Sequence, residues 1–312
     1  MTLDLIDFVV ETDGVDLEDF PPDVQDRIND ELKELTGGDG PSSDPKNPPK
    51  SIVVNDEEGE GDFSSIQKAI DDKDTEGGDV IFVEPGEYGS FTVDVDDLTL
   101  QGPNAGIAGD SDQRGDEASF EVGGAISADN VTIDGFELTG SSFSSVTAEN
   151  TVIRNTAADV DDSAVVRLED GSDGTVITRN TFTGDGGNFV INARQNFGEL
   201  IDGVEITDNN FESITGDGKT AIQAAGFTNA EISGNSFDGI SQDAVRLAGN
   251  VSGTEVTGNE FSNYAQNSGF PAGAIFANAA SGDSIDISSN QFNDAGGDDV
   301  YVVEGSSDVL NV

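Results

Sequence analysis

A chain of 312 residues is long enough for one large repetitive domain or two ordinary ones. It carries 63 Asp and Glu against 13 Lys and Arg, a formal net charge of −50, with no Cys and no His. These counts exclude disulfides, thiolate chemistry, Ser-His and Cys-His nucleophile systems and His-ligated metals, and they leave nothing basic to meet nucleic-acid phosphates. Self-repulsion at this charge opposes a compact state in dilute buffer, yet 34% of residues are hydrophobic and recur in register, which argues against disorder. Concentrated salt resolves the conflict, because the Debye length falls to about 3 Å at about 1 M. Lysine usage agrees: after Lys73 the only lysine is Lys219. The acid is read as the solvation coat of a halophilic protein.

Residues 1–49 are read as an N-terminal arm and linker, and residues 50–312 as the main domain. MTLDLIDFVVETDG has no basic n-region and no cleavage site, so no secretory signal is expected there. Leu3, Leu5, Ile6, Phe8, Val9 and Val10 make a short apolar segment. Pro21-Pro22 then opens a predicted helix with Val24, Ile28, Leu32 and Leu35 on one face, and GGDGPSSDPKNPPK is a linker. An arm this small cannot hold a core of its own, so it packs either along the main domain or on another protein. No stretch approaches the roughly 20 apolar residues of a membrane span.

From Ser51 onward SIVVND, DVIFVEPGEY and DLTLQGPNAG predict strands around one short helix, capped by Asp62 with Phe63, Ile66 and Ile70 on one face. One phrase then returns: VITRNTF, EITDNNF, EISGNSF, EVTGNEF and DISSNQF. Its Asn falls at 180, 209, 235, 259 and 290, with Phe two residues later each time. A second phrase sits between these repeats: VVRLED, VINARQ, AIQAAG, AVRLAG, AIFANA and DVYVVE. Short alternating strands repeating every 20–30 residues or so are the mark of a β-solenoid, in which equivalent residues stack about 4.8 Å apart. Ile177, Ile206, Ile232, Val256 and Ile287 are then one interior column. The Phe residues fill a corner, and the Asn residues form a ladder of amides from coil to coil.

The run GDVIFVEPGEY…LTLQGPNAGIAGDSDQRGDEASFEVGGAISADNVTIDGFEL resembles the opening coils of the pectin-lyase-like superfamily, closest to its non-catalytic surface and adhesin members. The resemblance spans residues 50–312 and implies an all-β, right-handed, single-stranded parallel β-helix. It says little of function, since the fold hosts lyases, hydrolases, esterases, adhesins and tailspikes. Lyases of the superfamily use carboxylate-held Ca²⁺ with an arginine or lysine base, and hydrolases use clustered Asp, usually with a Gly-His-Gly segment. Asp161-Asp162 before Arg167 could be set on the hydrolase pattern, but the flanking residues do not match and the histidine is absent. The Gly/Asp loops lack a fixed ligand spacing and read as solvated turns, so no metal or other cofactor is expected.

Strand alternation in the second phrase sends Val166, Ile191, Ile222, Val245, Ile275 and Val300 inward. The outward column is then Arg167, Asn192, Gln223, Arg246, Phe276 and Tyr301, with Arg194 nearby. In the first phrase the outward column is Glu205, Glu231, Glu255 and Asp286 instead. One face has shed its acid coat, which suits a ligand or subunit interface with sugar held on Phe276 and Tyr301. The chain finishes on the apolar alternation of DVYVVEGSSDVLNV, which leaves an open β-helix end to be covered. Together these features predict a structural and recognition protein of a halophilic virion. It would be a spike, turret or tail-fibre subunit, a homo-oligomer with the trimer favoured, bound to other virion proteins through its arm and to host surface glycan. A polysaccharide lyase or glycoside hydrolase, and a cell-surface adhesin, are the alternatives.

Overall fold

The computed structural model describes residues 49–57, 59–122, 124–141, 143–159, 164–184, 189–193, 200–216, 219–265, 272–279, 284–293, 298–303 and 310–311. The predicted arm and its helix, Asp161-Asp162 and Arg194 lie outside them. The described residues form a right-handed parallel β-helix of three long sheets, with a two-stranded pair, Ile201–Asp202 on Phe227–Thr228, beside them. From Val80 onward each coil contributes one strand to each long sheet in turn, so strands adjacent in a sheet are a whole coil apart in sequence. The first sheet has 11 strands, from Ser51–Val54 to Leu310–Asn311. The second has nine, from Gly86–Tyr88 to Gln291–Asn293, and the third nine, from Thr92–Val93 to Asp298–Val302.

Period-2 alternation puts Ile177, Ile206, Ile232, Val256 and Ile287 on the inner face of the first sheet, all buried and in register. At the second sheet Phe182, Phe211, Phe237, Phe261 and Phe292 stack face to face, with ring centroids 5.0, 4.8, 4.9 and 5.2 Å apart. Between these columns runs the amide ladder. Nδ2 of Asn180, Asn209 and Asn235 each donates to Oδ1 of the next Asn at 3.0 Å, and Asn259 donates to Asn290 at 3.1 Å. The second amide hydrogen goes to a strand carbonyl one coil back, as from Asn209 to Ile177 O at 2.8 Å. A buried amide is tolerated here because each ladder member inside the stack is fully bonded.

The short helix is Ile66–Ile70, and its cap differs from the expected one. Ser65 is the N-cap, its Oγ accepting from Lys68 N–H at 3.3 Å. Asp62 instead accepts from Val53 N–H at 2.9 Å, and Phe63 bridges to Val54. Both acceptors fit the cap pattern, and pairing of Phe63 with the first strand decides between them. Ile66, Ala69 and Ile70 are buried against the first coils.

Residues 102–117 form an unforeseen strap over the corner between the first and second sheets. Arg114 holds it, giving two bonds to Glu117 and others to the carbonyls of Ile107, Phe136 and Asn155. Gly109 lies so close to Thr156 O that an added Cβ would sit 2.3 Å from it, so no larger residue fits.

Candidate functional site

The outward column of the third sheet is continuous. Arg167 pairs with Asn192, Asn192 with Gln223, Gln223 with Arg246, Arg246 with Phe276 and Phe276 with Tyr301. All six are half-buried, whereas Glu205, Glu231 and Glu255 of the first sheet are exposed. The inner column beneath them packs as alternation requires, with Val166, Ile191, Ile222, Val245 and Ile275 buried. The residue before each of these, Val165, Val190, Ala221, Ala244 and Ala274, is fully buried too. The column therefore rises from a closely packed base.

Its C-terminal half is a stack. The Arg246 guanidinium carbon lies 4.4 Å from the centroid of Phe276, and the Phe276 and Tyr301 rings are 5.4 Å apart at 13°. Because Arg246 and Tyr301 stand on neighbouring strands either side of Phe276, they cover its two faces. Phe276 thus offers solvent only its ring edge, and the expected stacking of a sugar on that ring is closed. Arg246 is held from below by Asp243, with Nε and Nη2 each 2.8 Å from Oδ2. The Asp243 side chain is 0% exposed, against 28% for Arg246, and Gly273 N–H also donates to it at 3.2 Å. Burial pushes the Asp243 carboxyl up, while Arg246 and Gly273 pull it down. Sequence reasoning missed Asp243, although its place three residues before an outward arginine was a usable signal.

The N-terminal half is polar. In pairing, Phe143 faces Val166 and Val146 faces Leu168, so two residues of the Phe143–Val146 strand stand opposite Arg167 alone. Such a bulge re-aims the side chains around it. Arg167 Nε is buried with no acceptor, and Asp170 Oδ1, three residues on, is buried with no donor. Elsewhere among the described residues, Arg114 and Arg154 hold carboxylates at 2.8 Å and Arg179 donates to Gly106 O at 2.9 Å. Arg167 differs from these in keeping a buried, unspent donor. Among the described residues no group of three or more Asp and Glu gathers at metal-binding distance.

No family model matches the sequence, and no curated protein matches it. Among solved structures the chain is similar to pectate lyase Pel9A, at 14% identity and a TM-score of 0.55, over 85% of this chain and 79% of that one. It is also similar to an alginate lyase from Paenibacillus sp. str. FPU-7, at 11% and 0.43, over 84% and 99%. A third is the GH136 lacto-N-biosidase from Eubacterium ramulus, at 12% and 0.32, over 90% and 70%. The likeness is one of fold, and identities this low carry no residue roles across.

Proposed function

We propose that the protein is a recognition protein that binds an acidic glycan along the outward column of its third sheet without cleaving it. The unspent Nε of Arg167 carries the reading. A uronate carboxylate suits the outward, half-buried Arg167 side chain, whose Nε has no acceptor. Asn192 and Gln223 extend the row of hydrogen-bonding groups, and the Arg246–Phe276–Tyr301 ridge supplies a rigid edge. One solved structure of similar fold is a pectate lyase, whose name points to the same class of polymer.

The setting we propose is the surface of a halophilic virion, where the chain serves as a spike, turret or tail-fibre subunit in a homo-oligomer. The net charge of −50 and the separate composition of residues 1–49 support it. Detection of the chain in purified particles by mass spectrometry tests that setting, and its absence there overturns it.

Affinity electrophoresis tests the binding. A gel-embedded polyuronate should retard the wild type and an uncharged glucan should not. Arg167→Gln should weaken retardation at least about tenfold, which corresponds to about 1.4 kcal/mol. Equal retardation by the uncharged polymer, or an unaffected variant, contradicts the reading, and release of soluble sugar would make the protein an enzyme.

A further inference from the structure

Arg167 and Arg246 share one outward column but not one electrostatic state. Arg246 stands over the fully buried Asp243 side chain, whose Oδ2 takes its Nε and Nη2 at 2.8 Å each. The two are neutral as a unit, and the guanidinium lies against the Phe276 ring. Gly273 N–H, 3.2 Å from Asp243 Oδ1, helps to hold the charge on the buried carboxylate. Arg167 is the reverse case. Its Nε is buried without an acceptor, and among the described residues no carboxylate pairs with it. A guanidinium matched by a buried carboxylate has little net charge left for a ligand, whereas an unmatched one gains from the first carboxylate to reach it.

The surface between and beside the two arginines is uncharged. Arg167, Asn192, Gln223 and Arg246 occupy successive coils, so the arginines stand three coils, about 14 Å, apart. Beside Gln223, Arg246 and Phe276 runs a second outward row in register, Ala225, Ala248 and Asn278. Alanines next to long side chains leave a shallow trough along the axis with no charge on its floor. One pyranose of an extended glycan advances by close to one coil, so the column presents one cationic position followed by neutral ones. Amides meet sugar hydroxyls as donor and acceptor, but they hold a carboxylate only about half as strongly as a guanidinium does. The protein's charge of −50 opposes every further anion.

We infer that the site selects a mixed glycan, in which one acidic sugar at Arg167 is followed by neutral sugars over Asn192, Gln223 and the alanine floor. Asp243 is the positioning residue that sets this preference, by cancelling Arg246. The inference rests on the glycan reading above and narrows it: a polymer acidic at every sugar still binds, but its additional carboxylates add nothing.

Calorimetric titration of the full chain with tetragalacturonates that differ only in methyl esterification tests it, at the lowest salt that keeps the chain folded. The probes are the free tetra-acid, the two isomers with a single free carboxylate at one end or the other, and the full ester. The better single-acid isomer should bind within about threefold of the tetra-acid, and the full ester at least about tenfold more weakly than that isomer. A tetra-acid that outbinds both isomers by more than about threefold overturns the inference and leaves the glycan reading standing. An ester that binds as well as the isomers, or no binding by any probe, overturns both. In Asp243→Asn the tetra-acid should outbind the better isomer by at least about tenfold, because Arg246 then takes a second carboxylate. A purely structural role for Asp243 would weaken all probes alike, and a variant that discriminates less than expected overturns the inference. Should that variant fail to fold, the wild-type series alone decides.

Discussion

Tyr88 shows how burial of one side chain sets a pH dependence. Its ring stands in register with Phe120 and its hydroxyl donates to Glu84 O at 2.7 Å. Desolvation first, and the Asp56 charge second, push the phenol from its ordinary value of 10.0 up to about 12. In the unfolded chain the proton leaves near the ordinary value, while the folded chain still holds it. The unfolded state therefore binds fewer protons between these two values, and stability falls as pH rises across that window. Tyr88→Phe should flatten this alkaline decline, measured as urea midpoints against pH, and an unchanged slope would show that Tyr88 does not cause it. Arg246 illustrates the opposite order of legibility. Its outward direction follows from alternation, but its clamping by Asp243 depends on a neighbour whose side chain the period-2 pattern does not place.

At the scale of one element, the ladder and the ring stack were readable because stacking a repeat makes identical residues touch. An Asn two residues before a Phe, recurring once per coil, has few other physical uses. Asn235 accepts from Asn209 N–H and Nδ2, and donates to Ile206 O and Asn259. Asn235→Leu should cost about 2–3 kcal/mol in reversible unfolding, since it leaves buried donors and a carbonyl unpaired. Thr207→Ala, which loses only the half-buried bond to Thr178, should change little, and similar costs for both would contradict the ladder's role. The strap over 102–117 was not legible, because it occurs once and its Arg114 bonds reach carbonyls 22 and 41 residues away. The cap of Ile66–Ile70 was missed for a related reason: the cross-coil contact of Phe63 outweighs the local signal of Asp62. The outward column of the candidate site was legible in register, while the closing of both faces of Phe276 was not. Alternation gives a direction and a neighbour, but ring orientation comes from packing.

Across the whole molecule the charge is not spread evenly. Glu205, Glu231, Glu255 and Asp286 lie in register on successive strands of the first sheet, where like charges directly opposite one another destabilise pairing. The charge of −50 acts in the same sense, so stability should rise steeply with salt. Glu231→Gln should stabilise by about 0.3–1 kcal/mol at the lowest salt that keeps the chain folded, and by far less at about 2 M KCl. Equal effects at both salts would show that repulsion along this column is not what salt relieves. The third sheet carries Arg167 and Arg246 on its outward column, so an anionic polymer meets less repulsion along that column than along the acidic column of the first sheet.

We propose that this face holds an acidic glycan, and the protein supplies its own reporter. It has no Trp and only three Tyr, one of which, Tyr301, ends the column. Titration of a short oligouronate at the lowest salt that keeps the chain folded, followed by tyrosine emission and calorimetry together, tests it most directly. The account predicts a saturable emission change in the wild type. In Tyr301→Phe that change should vanish while the binding heat persists, and Arg167→Gln should lose both. Binding heat unaffected by Arg167→Gln, or no binding of any uronate while an uncharged oligosaccharide binds, would contradict it.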